Sequence, residues 1–171
     1  MAAVGIAGLP GSGKTLITSL FVKRGFKSLT MGDVIRKYAE TRGITPDEAA
    51  VLIRLERGMR AVVSSLGITR GHDKVVIDGL RSLEEAEALE EMFGRFYLVY
   101  VVASRRTRLK RLQARGRSDD PASLAEFAMR EYRELKFGVA SLLSRADFII
   151  VNEDKSIEEL ESEIDAIVRT L

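Results

Sequence analysis

A glycine-rich stretch near the start of the chain has the residue types and spacing best suited to chemistry. Residues 8–15 read GLPGSGKT and match the pattern G-x-x-x-x-G-K-[ST] at every position. Glycine lets the backbone curl so that successive N–H groups point at phosphate oxygens. The lysine of such a loop reaches the β- and γ-phosphates, and the following hydroxyl binds Mg²⁺. We therefore predict a site for a nucleotide polyphosphate, contacted by Gly8, Pro10, Gly11, Ser12, Gly13, Lys14 and Thr15.

The segments on either side of this loop indicate how it is held. Residues 3–7 form a short apolar run with strand character, and residues 15–21 have helical spacing. A loop between a strand and the N-terminus of a helix favours anions because the helix dipole is positive there. Four later apolar runs are also predicted strands: residues 26–30, 74–80, 96–102 and 147–151.

The alternation of these strands with helical segments indicates a parallel sheet that is covered by helices on both faces. We predict a three-layer α/β fold, a P-loop NTPase domain with a five-stranded parallel sheet, which takes up residues 1–171 as one domain. Asp78 lies at the carboxyl end of the third predicted strand. This position is beside the phosphate loop, where a carboxylate can hold Mg²⁺ through water.

Two helix starts are predicted between the second and third strands. Asp33 can cap a helix that runs through Ala39. Thr45 is a predicted N-cap with Pro46 at the first helical position and Glu48 in the capping-box place, and apolar residues at helical spacing extend this helix to residue 66. Together these helices form a predicted helical segment over residues 31–70.

The composition limits the class of protein. With 46% hydrophobic and 30% charged residues the chain reads as a globular protein, and the lack of cysteine excludes disulfides and thiolate metal sites. Its longest apolar run, residues 96–103, is too short to span a bilayer, and no basic leader precedes the first strand. We expect a cytoplasmic protein without membrane contacts. A net charge of +2 favours a local anion site over a nucleic-acid-binding face.

The order of motifs resembles the nucleoside monophosphate kinase family, adenylate kinase in particular, and most of all small archaeal proteins related to adenylate kinase. Residues 30–36, TMGDVIR, are similar to the family's acceptor-binding segment STGDMLR; residues 77–82, IDGLRS, are similar to LDGFPRT without its proline. The resemblance implies transfer of the γ-phosphoryl group of ATP to a nucleoside monophosphate. It also implies that the helical segment over residues 31–70 is the acceptor-binding segment, with Asp33 in the acceptor site. Arg36 and Arg81 would bind the acceptor phosphate, and Asp78 would lie on the Mg²⁺ side.

A short lid over residues 115–121 is also implied by the resemblance. Residues 117–120, RSDD, are similar to the R-x-D-D of nucleotide kinase lids. By this likeness Arg117 and Arg130 close over the reaction, with Arg133 as an alternative to Arg130. Two questions stay open at this stage. Arg111 and Arg115 either face the site or lie on a solvated helix face, and the lid aspartates, Asp119 and Asp120, either cap the next helix or orient lid arginines.

Glu85 carries a prediction about the acceptor's base. In adenylate kinases a glutamine at this interval after the second acceptor arginine reads adenine. A carboxylate only accepts hydrogen bonds, so Glu85 would repel the lone pair of adenine's ring nitrogen. We therefore predict a base edge with adjacent donors, as in guanine, or a different phosphorylated molecule. The alternative is that Glu85 lies on the surface of an acidic helix.

Other functions remain open from the sequence. Attack by a phosphate anion needs no general base, whereas a hydroxyl acceptor, as in the dephospho-coenzyme A kinases that share the fold, needs a carboxylate, for which Asp33 is the candidate. An ATPase or nucleotide switch would use water instead, and a nucleic-acid-associated ATPase has little support from the charge distribution. The predicted partners are small-molecule nucleotides, and the chain is expected to be a monomer or a homodimer.

Overall fold

The computed structural model describes residues 2–68, 74–117 and 120–171. The strands in these residues are β1 Ala2–Ala7, β2 Lys27–Thr30, β3 Lys74–Leu80, β4 Phe96–Val102 and β5 Phe148–Val151. The helices are α1 Lys14–Val22, α2 Met31–Arg42, α3 Pro46–Arg57, α4 Ala61–Ser64, α5 Leu83–Phe93, α6 Arg105–Arg115, α7 Leu124–Phe137, α8 Leu142–Arg145 and α9 Ile157–Thr170. No helix in these residues is long and apolar enough to cross a membrane.

The strands form one parallel sheet in the order β2-β3-β1-β4-β5, which confirms the predicted fold class. Strand β1 is central, between β3 and β4. In the register of the sheet Ile6 lies beside Asp78, and Asp78 lies beside Thr30 at the end of β2. The carboxyl ends of these three strands therefore bring the phosphate loop, Asp78 and the start of α2 to the same edge.

Both faces of the sheet are buried. Along β1, Ala3 and Ala7 belong to one apolar core, while Val4 and Ile6 belong to the other, because side chains alternate between the two faces of a strand. The first core packs beneath α2, α3 and α5, and the second beneath α1 and α9. Continuous apolar runs in the sequence are typical of a sheet covered on both sides.

The acceptor-binding segment differs from its prediction at two helix boundaries. Thr45 and Glu48 do form the predicted capping box. However, the helix that they start ends at Arg57, because Gly58 adopts a φ of 84°, and a separate short helix follows. Helix α2 begins at Met31 with Thr30 as its N-cap, so Asp33 lies in the first turn and is not the cap. Residues 69 and 70 of this segment lie outside the described residues, as do residues 118 and 119 of the predicted lid.

Candidate active site

The phosphate loop joins β1 to α1 in a conformation that only glycine adopts easily. Gly11 and Gly13 have φ values of 81° and 96°, in the left-handed region. The loop is also crowded from outside: a Cβ on Gly11 would lie 2.5 Å from the carbonyl oxygen of Arg108, and a Cβ on Gly13 would overlap the side-chain amide of Asn152. These two glycines are therefore required by the packing of α6 and the end of β5 as well as by the turn.

Lys14 is the first residue of α1, and its ammonium group folds back over the loop. Its Nζ donates to the carbonyl oxygens of Gly8 at 2.8 Å and Leu9 at 3.2 Å. Burial lowers the pKa of Lys14 to about 8, although the nearby charges of Asp78 and Glu134 act in the opposite direction. A buried ammonium group with a depressed pKa is stabilised by any anion that enters the site, and a nucleotide phosphate is such an anion.

Asp78 and Thr15, the two residues predicted to hold Mg²⁺, are in contact in the cleft. The Asp78 carboxyl is buried and interacts with the Thr15 hydroxyl. Burial raises its pKa, and Lys14 opposes this effect. Within the described part of the chain, Asp78 Oδ1 has no hydrogen-bond partner. A buried carboxylate oxygen of this kind fits a hard cation, and Mg²⁺ is usually held by one or two protein oxygens together with substrate phosphates.

A cleft of about 440 Å³ extends from the phosphate loop toward α2, α3 and α7. It brings most of the predicted site residues together: its lining includes the loop glycines, Lys14, Thr15, Asp78 and Arg36. The arginines that line it are Arg36, Arg81, Arg111, Arg115, Arg117, Arg130 and Arg133. Such a density of planar, multiply donating cations suits the recognition of more than one phosphate group.

Arg81 follows β3 and lines the cleft, and its charge acts on Lys14. Its Nε binds Glu134 Oε2 at 2.8 Å, and its backbone N–H donates to Glu85 Oε2 at 2.7 Å. The arginine is therefore fixed at both its backbone and its side chain. Glu134, from α7, lines the cleft as well, and it was not among the residues predicted from the sequence.

Asp33 does not lie in this cleft. Its side chain is 71% exposed, forms an ion pair with Arg36, and lines a second cavity between α2 and α3 together with Val34 and Tyr38. The prediction that Asp33 contacts the acceptor is not supported by this placement. Asp33 and Arg36 are neighbours one turn apart on α2 and form an ion pair. Only Arg36 of the two lines the cleft, while Asp33 lines the second cavity.

Glu85 also has a different environment from either prediction. Its carboxylate is fully buried, accepts from Arg54 at 2.5 Å and from the backbone of Arg81 at 2.7 Å, and does not line the cleft. Arg54 in turn donates to Ala50 and stacks on the ring of Phe137 at 4.5 Å. Glu85 is neither a reader of the acceptor base nor a surface residue in this structure, because α5 directs it inward.

The arginines of α6 and the lid are organised around Asp120. Its carboxylate accepts from the side chain of Arg115 and from the backbone of Arg117, and Arg130 lies 3.6 Å away. Burial acts to raise the pKa of Asp120, but these hydrogen bonds outweigh it and lower the pKa. Helix α7 is capped by Ser123, so Asp120 orients lid arginines and is not the cap. Asp119 lies outside the described residues.

Two side chains that donate hydrogen bonds to carbonyl groups of the phosphate loop were not predicted from the sequence. Arg108, buried on α6, donates to the carbonyl of Pro10 and pairs with Glu131 of α7 at 2.5 Å. Asn152, just after β5, donates from Nδ2 to the carbonyl of Ser12 at 2.9 Å. Arg111 joins them by donating to the carbonyl of Asn152 at 3.0 Å. A polar residue directly after a predicted buried strand was the available signal for Asn152.

Helix α6 is fixed to the end of β5 by a second polar contact. Glu153 accepts from the backbone and hydroxyl of Ser104, the N-cap of α6, and from the hydroxyl of Thr107. These hydrogen bonds lower its pKa to about 2, so the carboxylate stays ionised at neutral pH. Helix α6, which carries Arg108 and Arg111, is thereby held against the same end of the sheet as the phosphate loop.

The fold and this site define a P-loop kinase-like domain. Residues 4–134 match the family model described as an AAA domain. A UPF0200 protein of Pyrobaculum aerophilum is 57% identical over 167 residues, which cover 97% of this chain and 96% of the relative. One from Thermococcus sibiricus is 38% identical over 160 residues, covering 86% and 84%. The chain belongs to the AAA domain family of this model and to the UPF0200 proteins.

Solved structures give the same fold. The Thermus thermophilus protein TT1252 is similar with a TM-score of 0.69 at 21% identity, over 99% of this chain and 97% of that one. A shikimate kinase from Acinetobacter baumannii, in complex with shikimate, has a TM-score of 0.64 at 17% identity, over 99% and 94%. At these identities the likeness is one of fold, and it identifies a kinase-type P-loop architecture.

Proposed function

We propose that the protein is an ATP- and Mg²⁺-dependent phosphotransferase that acts on a small acceptor bearing a phosphate group. One observation carries this proposal: Lys14, Thr15 and Asp78 share a single cleft with a set of arginines from α2, α6 and α7 and from the segment after β3. Phosphoryl transfer requires two substrates held in line and cations around the oxygens of the moving group, and little covalent chemistry from the protein.

Each residue has a distinct role in this proposal. Lys14 and the loop amides hold the β- and γ-phosphates of ATP, and Thr15 with Asp78 holds the metal. Bound Mg²⁺ supplies positive charge between these phosphates. Arg36 and Arg81 hold the phosphate of the acceptor, and Arg117 and Arg130 close over the transferring group.

The arginines select a phosphate on the acceptor without deciding which atom of the acceptor attacks. By the resemblance to adenylate kinase, nucleoside monophosphates are the first candidate acceptors, and a phosphate oxygen would be the attacking atom. The named substrate of the shikimate kinase neighbours is not a nucleotide, which supports including acceptors that present a hydroxyl, such as dephospho-coenzyme A. An ATPase without an acceptor is the competing function.

The test is ATP consumption measured alone and with AMP, GMP, CMP, UMP or dephospho-coenzyme A, in the presence of Mg²⁺. We expect ADP formation to depend on one of these acceptors and to be lost in Lys14→Ala, whose fold should stay intact. Slow ATP hydrolysis that no acceptor accelerates would instead indicate an ATPase or a nucleotide switch.

A further inference from the structure

Glu134 is a buried carboxylate in the cleft that the proposed roles leave unexplained. Its side chain is only 5% exposed, it projects from α7, and it binds Arg81 Nε at 2.8 Å. Its charge also acts on Lys14, at the end of the cleft that holds the phosphate loop. Glu134 therefore lies between the arginine proposed to anchor the acceptor and the lysine proposed to hold the γ-phosphate.

The other carboxylates that line the cleft within the described residues are already accounted for. Asp78 interacts with Thr15 and has the geometry of the magnesium ligand. Asp47 is about half exposed, at 48%, and forms an ion pair with Arg133 at 2.7 Å. Asp33, the carboxylate predicted from the sequence for an acceptor hydroxyl, lines a different cavity.

An acceptor held by Arg81 would lie next to Glu134. A guanidinium group has five N–H donors, and the contact with Glu134 uses the one on Nε. The same arginine can therefore bind an acceptor phosphate while it keeps the carboxylate in place. A buried charge that is paired in this way is tolerated in the protein interior, where an unpaired one is not.

We propose that Glu134 is the general base of the transfer and that the attacking group is a hydroxyl of the phosphate-bearing acceptor. The hydroxyl oxygen forms a bond to the γ-phosphorus of ATP, and the bond from that phosphorus to the β–γ bridging oxygen breaks. ADP leaves with the electron pair, the hydroxyl proton passes to the carboxylate of Glu134, and solvent later removes it. The products are ADP and a phosphate monoester of the acceptor.

A phosphate oxygen, the alternative nucleophile, would not need Glu134 as a base. A phosphate oxygen that attacks has no proton to give up, so no base is needed. This inference rests on the proposed phosphotransferase activity and decides between its two kinds of acceptor.

The experiment combines identification of the product with variants of Glu134. Phosphorus NMR of the product made from ATP and an acceptor of the panel distinguishes a new phosphate monoester from a phosphoanhydride. We expect the monoester. Glu134→Gln keeps the shape of the side chain and should lower kcat by about 10²- to 10⁴-fold, the usual contribution of a general base. In Glu134→Ala, added formate should restore part of the lost kcat.

Glu126→Gln is the matched control, since Glu126 lies on the same helix, is exposed, and its carboxylate accepts from the backbone N–H of Ala122 at the surface. It should keep the wild-type kcat, and thermal unfolding should show both glutamine variants folded. A phosphoanhydride product, or an undiminished kcat in Glu134→Gln, would overturn the inference while leaving the phosphotransferase in place. Loss of activity without formate rescue would reduce Glu134 to a positioning residue for Arg81. Failure of every acceptor would instead refute the proposed function.

Discussion

Glu85→Gln is expected to destabilise the protein strongly without changing its preference among acceptors. The carboxylate accepts two hydrogen bonds at once, from Arg54 and from the backbone of Arg81, in a pair whose side chains are 0% and 3% exposed. A glutamine can accept only through its single oxygen, so its NH₂ group would face one of these donors. Arg54 would then keep a buried charge that is poorly compensated.

The size of the effect follows from this burial. Breaking a buried ion pair by removing one partner costs about 3–5 kcal/mol. A chain of 171 residues has an unfolding entropy of about 0.36 kcal/mol per kelvin near 60 °C. The melting temperature should therefore fall by about 8–14 °C.

Denaturant unfolding and thermal melting measure this loss, and acceptor-dependent ADP formation measures function. Glu84→Gln is the control, because Glu84 is the exposed neighbour in the first turn of the same helix; its free energy of unfolding should change by less than about 1 kcal/mol. Replacing both partners, with Arg54→Met and Glu85→Leu together, should recover much of the loss. A Glu85→Gln variant of wild-type stability with an altered acceptor ranking would refute this reasoning and place Glu85 in the site.

Three further outcomes are expected. The pKa of Lys14 is about 8 in the folded protein and 10.5 in the unfolded chain, so the unfolded state binds more protons between these values and stability should rise by about 3 kcal/mol from pH 8 to pH 10.5. The Lys14→Met variant should lack this rise, should be more stable than the wild type at pH 7, and should have no turnover. Denaturant unfolding measured across this pH range tests the two stability outcomes. Arg36→Ala should raise the acceptor KM by the equivalent of about 2–5 kcal/mol with little change in the Kd of ATP, measured by titration calorimetry, whereas the reverse pattern would contradict the division of the cleft into two ends. Hydrogen exchange at the backbone amides of Arg115 and Arg117 should slow when a bisubstrate mimic is added, and unchanged exchange would argue against a closing lid.

The phosphate loop and the sheet could be predicted because their signals are local. The pattern of residues 8–15 identifies the loop, and continuous apolar runs typical of buried strands identify the sheet. Asp78 was correctly expected beside the loop because the carboxyl ends of neighbouring parallel strands meet at one edge, and the register of β1 and β3 has this arrangement.

The faces of the acceptor-side helices could not be predicted in the same way. For Asp33 and Glu85 the question is which way one side chain points, and a shift of one residue in the helix start rotates it by about 100°. A local signal for Glu85 was nevertheless present. Ser82 and Glu85 have the S-x-x-E spacing of a capping box, in which the glutamate reaches back toward the backbone before the helix, and here it accepts from the N–H of Arg81.

Contacts that depend on distant parts of the chain were beyond the sequence. Glu134 and Arg81 are brought together by α7 crossing the cleft, and no spacing rule connects them. The same holds for Arg108, whose side chain is buried against the phosphate loop and donates to the carbonyl of Pro10.

The hydrogen bond from Asn152 to Ser12 spans 140 positions of sequence, and it has a consequence for synthesis. A ribosome synthesises the phosphate loop early, but Asn152, which binds the carbonyl of Ser12, is synthesised only after β5. At 5–20 residues per second the interval is about 7–28 s. A nascent chain therefore carries the complete motif for that time without the Asn152 contact. The loop has all of its supporting hydrogen bonds only once the residues after the last strand are in place.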